Sequence, residues 1–192
     1  MRRIVLLISF VAVFALFAGA QTLIDFHDMP YAYVPTAMPD NYPQTMGLNW
    51  DNFSYVTPGL WKLAGPGFWV DPSSNPVDVA FVGGVLCNLT VPCTGMIKMV
   101  PIMADAPFHK TFTPMTITMA AGWQTNVVRV TAYDYGTYVG TMVWTLTTTP
   151  TLYTFPATWR VTQLAFAPAY LGNNATIPEG SAVIYNFTAM LN

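Results

Sequence analysis

Two runs rich in β-branched and aromatic residues, between Val127 and Leu146, flank the tripeptide Asp134-Tyr135-Gly136. The first run alternates at a two-residue period, with one face formed by Val128, Val130 and Ala132. The second run alternates in the same way, with one face formed by Tyr138, Gly140, Met142, Trp144 and Leu146. This period is typical of a strand with one buried face. Asp134 and Gly136, between the two runs, suit a chain reversal. The segment therefore predicts a long antiparallel hairpin whose inner face supplies part of a core.

The first twenty residues have the organisation of a signal peptide. Met1-Arg2-Arg3 is a short basic region, Ile4 to Phe17 is apolar, and Ala18-Gly19-Ala20 supplies the small residues that signal peptidase requires. We expect cleavage before Gln21, since the apolar run is shorter than the ~20 residues of a spanning helix. The alternative is an uncleaved membrane anchor. The predicted product is secreted, has no membrane span after cleavage, and forms one domain over residues 21–192.

Four N-glycosylation sequons and one pair of cysteines agree with export. The sequons begin at Asn52, Asn88, Asn174 and Asn186, and the alternative is chance in a chain rich in Asn and Thr. Cys87 and Cys93 are the two cysteines of the chain and are separated by five residues. In an oxidising compartment such a pair predicts a disulfide, with metal binding or a catalytic thiol as the alternative.

The chain carries few charges. Charged residues make up 8% of the sequence and hydrophobic residues 53%. Without Arg2 and Arg3, five basic residues face nine acidic ones, a net charge of −4 that disfavours nucleic acid as a partner. The 16 prolines and 13 glycines interrupt the chain too often for helices. We expect the solvent face to consist of Thr, Ser, Asn and Tyr side chains, as is typical of secreted β-proteins.

Short strands separated by turn signals follow one another along the chain. Besides the hairpin, we predict strands at Leu23–Phe26, Gly47–Val56, Val77–Val82, Met96–Met103, Thr113–Met119, Thr151–Phe155, Arg160–Phe166 and Ala182–Met190. In the last strand, one predicted face consists of Val183, Tyr185, Phe187 and Ala189. Residues 29–43 contain four prolines and three tyrosines and predict an irregular loop. Nine or ten short strands indicate an all-β fold, a two-sheet antiparallel β-sandwich.

Five short motifs also occur in a characteristic order: Asp25–Pro30, Met46–Phe53, Gly67-Phe68, Ser74–Phe81 and Val128–Val139. Through them the chain resembles secreted β-sandwich proteins found among bacterial surface proteins with a C-terminal sorting tail and in microeukaryotic secretomes. The resemblance covers nearly the whole mature chain. It implies a jelly-roll sandwich similar to galactose-binding-like and carbohydrate-binding modules.

The resemblance also bears on a structural calcium ion, which modules of this shape often hold. Asp25 and Asp28 are the residues of this chain that would contribute ligand oxygens. The chain departs from its relatives in the last strand, where Tyr185 stands in place of an aspartate. The loss of that carboxylate weakens the case for calcium, and the alternative is that Asp28 caps a turn. No other cofactor is predicted.

Catalytic residue types do not form a recognisable motif in this chain. His27 and His109 lie outside any nucleophile-elbow or metal-ligand motif, and Glu179 is in a predicted turn. Paired carboxylates for glycoside hydrolysis are not apparent, because the aspartates lie mostly at predicted strand ends. We therefore expect that the protein is not an enzyme.

Aromatic and polar residues in predicted loops favour glycan binding instead. Aromatic faces stack on pyranose rings, and Asn, Asp and Gln side chains bond sugar hydroxyls. The candidate ligand-binding residues are Tyr31, Tyr33, Tyr42, Trp69, Asp71, Asp134 and Tyr135. Trp50, Trp123 and Trp144 are expected to pack in the core.

The sequence therefore predicts a secreted, non-catalytic protein that binds a polysaccharide or surface glycan at the cell surface or in a matrix. One alternative is a structural glycoprotein of a wall, coat or matrix. The other is a small secreted effector or hydrolase whose site is formed only by folding.

Overall fold

The computed structural model describes residues 20–58, 66–68, 78–82, 94–99, 110–169 and 181–192. Within these ranges the strands are β1 Gln21–Ile24, β2 Thr36–Ala37, β3 Leu48–Asp51, β4 Phe53–Val56, β5 Val79–Val82, β6 Gly95–Met99, β7 Phe112–Ala121, β8 Asn126–Asp134, β9 Thr137–Leu146, β10 Thr151–Thr154, β11 Gln163–Ala169 and β12 Ala182–Leu191. One short 3₁₀ helix, η1, spans Pro66–Phe68. In these ranges we find no helix with the length and hydrophobicity needed to cross a membrane.

The strands pair into two antiparallel sheets. The larger sheet has the order β10-β7-β12-β5-β4-β2, and the smaller sheet has the order β3-β6-β11-β8-β9. β12 is central to the larger sheet: one of its edges pairs with β7, and the other pairs first with β5 and then with β1. The predicted all-β, two-sheet antiparallel sandwich is confirmed.

The core lies between the two sheets. Phe53 of β4 contacts Phe166 of β11, with ring centroids 5.8 Å apart, and Trp50 of β3 contacts Phe187 of β12 at 6.3 Å. Both pairs join the larger sheet to the smaller one in the edge-to-face arrangement that aromatic rings favour. Trp50 and Trp144 are buried in this core, as the sequence predicted.

One residue in the left-handed conformation takes the chain from the smaller sheet to the larger one. The sequence predicted a single extended segment over Gly47–Val56, but the structure divides it into β3 and β4, which belong to different sheets. Asn52 lies between them with φ 59°, a conformation that Asn tolerates better than most residues. Its Nδ2 donates to the carbonyl oxygen of Thr94 at 3.1 Å, which helps to hold this connection between the sheets in place.

A β-bulge in β12 changes which side chains face the core. Tyr185 is an extra residue on β12 relative to β7. Before it, Val183 faces outward together with Tyr185, and after it, Phe187 and Ala189 face the core. The prediction that these four residues share one face is therefore wrong, because an inserted residue reverses the alternation.

A second bulge changes the end of the hairpin. Val139 is an extra residue on β9 relative to β8, so Tyr138 lies opposite Tyr133. Tyr133 alternates with the buried Ala132 and faces outward, and Tyr138 shares that face. The prediction that Tyr138 shares the core face of Trp144 is wrong for the same reason.

A second apolar cluster covers the outward face of the larger sheet. Its buried members are Val56, Phe68, Val79, Phe81, Ala120, Val183 and Tyr185, and Trp123 packs against them rather than in the central core. η1 brings Phe68 to this face, and a Cβ built on its neighbour Gly67 would lie 1.6 Å from the carbonyl oxygen of Ala121. The Tyr185 hydroxyl donates to the Gly67 carbonyl. This part of the chain forms a third layer that the sequence did not predict.

Candidate functional site

The hairpin of β8 and β9 ends in a two-residue turn that presents Tyr135. Tyr135 and Gly136 have φ values of 46° and 81°, and the flanking residues pair directly, as in a type I′ turn. The Tyr135 side chain is 58% exposed. Its N–H donates to Thr162 Oγ1 at 2.8 Å and its hydroxyl to the carbonyl oxygen of Lys110 at 3.4 Å. The tip is therefore held against two other segments of the chain.

The other candidate at the tip, Asp134, is oriented differently. It is half-buried, and within the described residues its Oδ1 is shielded from water without a hydrogen-bond partner. A ligand at the tip would therefore have access to the Tyr135 ring but not to Asp134 Oδ1.

Tyr31 and Tyr33 form an exposed pair in the loop before β2. Each side chain is 67% exposed, whereas Ala32 between them is buried. The Ala32 N–H donates to Thr57 Oγ1 at 2.9 Å, and its carbonyl accepts from the Thr57 N–H at 3.0 Å. The backbone is thus fixed at the residue between the two rings. Both rings remain in solvent, where a ligand could reach them.

Tyr42 has a packing role in the structure. Its ring stacks on Phe26 with centroids 5.9 Å apart, and its carbonyl oxygen accepts from Trp50 Nε1 at 2.6 Å. Its hydroxyl donates to Asp28. Burial, and then the hydrogen bond to Asp28, raise the pKa of Tyr42 far above its usual value. Both the ring and the hydroxyl are engaged within the protein, so Tyr42 is separate from the exposed tyrosines.

The carboxylates of Asp25, Asp28 and Asp78 lie near Tyr42, and together with His27, the partner of Asp25, they form what we call the acidic corner. Asp25 Oδ2 lies 3.2 Å from His27 Nδ1. Asp78 is only 3% exposed and accepts a hydrogen bond from the Thr57 hydroxyl. Burial raises the pKa of Asp78, and the Thr57 hydrogen bond and the charge of His27 oppose that rise.

The calcium prediction stays a prediction. Asp25 pairs with His27, and Asp28 accepts from Tyr42, so both carboxylates have partners within the protein. Among the residues that the structure describes, no group of three or more His, Cys, Asp or Glu is arranged to hold a metal ion.

Several predicted sites lie outside the described residues. These are the signal peptide up to residue 19, the candidates Trp69 and Asp71, the cysteines Cys87 and Cys93, and the sequons at Asn88 and Asn174. The two other sequons are described: Asn52 is exposed in the turn between β3 and β4, and Asn186 is half-buried in β12.

The outward face of the smaller sheet carries a row of side chains that the sequence did not single out. We call it the outer row, and it takes one residue from each strand in order: Asn49, Lys98, Gln163, Tyr133 and Tyr138. Each member lies directly opposite the next in the strand register. The alternation of β8 was sufficient to place Tyr133 outward, but its neighbours could be found only from the pairing of strands distant in sequence.

The Tyr133 and Tyr138 rings form the aromatic end of the outer row. Their centroids are 6.4 Å apart and the rings are inclined by 74°. Tyr138 is 62% exposed and Tyr133 is half-buried. The Tyr133 carbonyl accepts from the Thr162 N–H at 2.9 Å, so the backbone below the rings is tied to the segment that also holds the tip.

Neither protein-family models nor the curated proteins match this sequence. Function is therefore inferred from the exposed rings and the polar groups around them.

Proposed function

We propose that this is a secreted, non-catalytic β-sandwich protein that binds glycans through exposed tyrosine rings. The observation that carries the proposal is the exposure of Tyr31, Tyr33, Tyr135 and Tyr138, each between 58% and 67%. Aromatic rings contribute large apolar faces, and a phenol adds a polar tip that suits a partly wet contact. The ring faces suit the C–H faces of a sugar, and the phenol hydroxyls suit its hydroxyl groups.

The backbone beneath these rings supports the proposal. Thr57 fixes the loop between Tyr31 and Tyr33, and Thr162 holds the backbone of Tyr133 and Tyr135. Binding to rings on a fixed backbone costs less conformational entropy than binding to a loop that must become ordered.

The low charge of the chain favours a neutral ligand. Only 8% of the residues are charged, and acidic residues outnumber basic ones. A polyanion such as nucleic acid gains its affinity mainly from basic side chains, which are few here. A polyol, by contrast, needs rings and hydrogen-bonding groups without net charge.

The alternative of a structural glycoprotein is supported by the threonines on the smaller sheet. Thr131 and Thr141 lie opposite each other on its outward face, with their hydroxyl oxygens 3.2 Å apart, and Thr145 is exposed further along β9. Such a surface stays hydrated without a specific ligand. The alternative of a hydrolase has the acidic corner as its support, but there the Asp28 and Asp78 carboxylates accept hydrogen bonds from Tyr42 and Thr57.

Retention on a panel of polysaccharides tests the proposal. Purified mature protein is compared with two double variants, Tyr31→Ala/Tyr33→Ala and Tyr135→Ala/Tyr138→Ala. Each stacked ring is expected to contribute about 1 kcal/mol, so loss of one ring lowers affinity roughly fivefold. The matched control is Leu152→Ala, which removes an equally exposed aliphatic side chain from β10.

The expected result is retention of the wild type on at least one polymer, with retention reduced in one or both double variants and unchanged in Leu152→Ala. Absence of retention on every polymer contradicts glycan binding. Equal retention of the wild type and both double variants contradicts the role of the tyrosines.

A further inference from the structure

We infer that the outer row is a subsite for a single, extended, neutral glycan chain that lies across the five strands of the smaller sheet. This inference rests on the proposed function and names the ligand and its path. The members of the outer row are consecutive partners in the strand register, so they form a line perpendicular to the strands. Neighbouring strands are about 4.8 Å apart, close to the length that one hexopyranose adds to an extended chain. A linear glycan would therefore meet about one protein side chain per sugar.

The chemistry of the outer row changes from polar to aromatic along this line. Asn49 is fixed at one end, because its Oδ1 accepts from the Asn41 N–H at 2.8 Å. Lys98 and Gln163 follow, and both are half-buried on the sheet face. Amide and ammonium groups bond sugar hydroxyls, whereas Tyr133 and Tyr138 at the other end offer ring faces.

The charges next to the outer row favour a neutral polymer. The Lys98 ammonium pairs with the carboxylate of Asp51, a residue on the same face of β3. The pair has no net charge, so it offers donors and acceptors but little attraction for a polyanion. Arg129 lies on the same face, opposite Ala167 and Val143, four residues along β8 from Tyr133 and so outside the row.

The inclination of the two rings favours a single chain over a crystalline surface. A flat crystal face presents coplanar sugars, and binding it requires rings that lie in one plane. Tyr133 and Tyr138 are inclined by 74°, so one ring can lie under a sugar while the other stands beside it. This arrangement fits one chain that is accessible from two sides.

Titration calorimetry with neutral oligosaccharides of increasing length tests the inference. The ligands are β-glucan, mannan and xylan fragments of two to eight sugars, with crystalline cellulose and polygalacturonate as competing polymers. Five strands span about 19 Å, so affinity should rise with chain length up to about five sugars and then level off. Tyr138→Ala and Gln163→Ala should each lower affinity about fivefold or more. Leu152→Ala, which removes an equally exposed side chain from β10 of the larger sheet, should leave affinity unchanged.

Other outcomes overturn the inference in different ways. If affinity depends on Tyr31 and Tyr33 but not on Tyr138 or Gln163, the outer row is not the subsite, although the proposed glycan binding stands. Preference for crystalline cellulose or for polygalacturonate rejects the single neutral chain. If Tyr138→Ala instead converts a dimer into a monomer in sedimentation, the face is an interface between copies. Absence of binding to every polymer rejects the proposed function itself. Circular dichroism of each variant shows that a loss of affinity is not a loss of folding.

Discussion

Asp78 is a carboxylate that the fold removes almost completely from water. It is 3% exposed, and the Thr57 hydroxyl donates to it. Burial disfavours the charged form and raises the pKa of Asp78, while the hydrogen bond from Thr57 and the charge of His27 reduce that rise. In the unfolded chain the same carboxyl has its ordinary pKa of 3.8. Ionisation of Asp78 therefore destabilises the folded state relative to the unfolded one.

Asp78→Asn should become more stable relative to the wild type as pH rises. The folded pKa is raised, so the stability contributed by protonated Asp78 is complete below pH 3.8 and is lost as pH rises through the folded pKa. The Asn variant has no such loss. The difference in free energy of unfolding should increase with pH and then level off, by about 1.4 kcal/mol for each unit by which the pKa is raised.

Urea denaturation of both proteins at several pH values measures this difference. The control is Thr154→Asn, an exposed substitution without an ionisable group, for which the difference from the wild type should not vary with pH. A difference between Asp78→Asn and the wild type that is constant or falls with pH contradicts the prediction.

Among the elements, the hairpin of β8 and β9 shows most clearly what a local pattern can predict. The two-residue period predicted both strands, and Gly136 has the positive φ expected of it. The pattern failed at Tyr138 and at Tyr185, since each lies at a bulge that exists only relative to the partner strand. Single-strand alternation therefore predicts a face only as far as the next bulge.

Gly136→Ala should destabilise the protein by about 1 kcal/mol, because an L-residue with a Cβ is strained at φ 81°. Apart from its two neighbours in the chain, no atom of the described residues lies within 4 Å of the added Cβ, so the loss comes from backbone conformation and not from a clash. Gly136→Asn should cost less, since Asn tolerates the left-handed region better. Chemical denaturation measures both variants, and an equal cost for the two would argue against this explanation.

On the scale of the whole molecule, the larger sheet is covered on one face and partly covered on the other. The smaller sheet packs on one face, and the cluster that contains Phe68 and Tyr185 covers part of the other. The outward face of the smaller sheet carries exposed residues, among them Tyr138 and Arg129. This asymmetry is the reason that we place the proposed subsite on the outer row and not on the corresponding face of the larger sheet.

Gly67→Ala should detach η1 from the larger sheet. The added Cβ would lie 1.6 Å from the Ala121 carbonyl oxygen, a backbone atom that cannot move aside as a flexible side chain would. We expect a loss of stability of about 2 kcal/mol, in the range of overpacked cores, and increased binding of a hydrophobic dye as Phe68 and Phe81 become exposed. Thermal unfolding and dye fluorescence test this expectation, with Gly136→Ala as a glycine variant that leaves η1 in place. Unchanged fluorescence would show that η1 remains docked.

For three of the candidate ligand-binding residues, exposure at the surface could be anticipated from the sequence. Tyr31, Tyr33 and Tyr135 lie in polar, turn-rich segments, and such segments run over the surface. Tyr42 lies in the same loop as Tyr31, yet it is half-buried because Phe26 and Asp28 meet its ring and hydroxyl. These contacts depend on side chains from outside the loop, so the local sequence around Tyr42 does not predict them.

Local patterns were sufficient for most of the strands, for the chain reversal at Gly136 and for the all-β class, because each depends on residues adjacent in the chain. The division of strands between two sheets, the bulges, the covering of the larger sheet by Phe68 and the burial of Asp78 came from the tertiary structure alone. The outer row belongs to this second group. Its five members, from Asn49 to Gln163, become neighbours only through the pairing of strands far apart in sequence. That pairing is selected by burial of the shared core, which no single segment of the chain encodes.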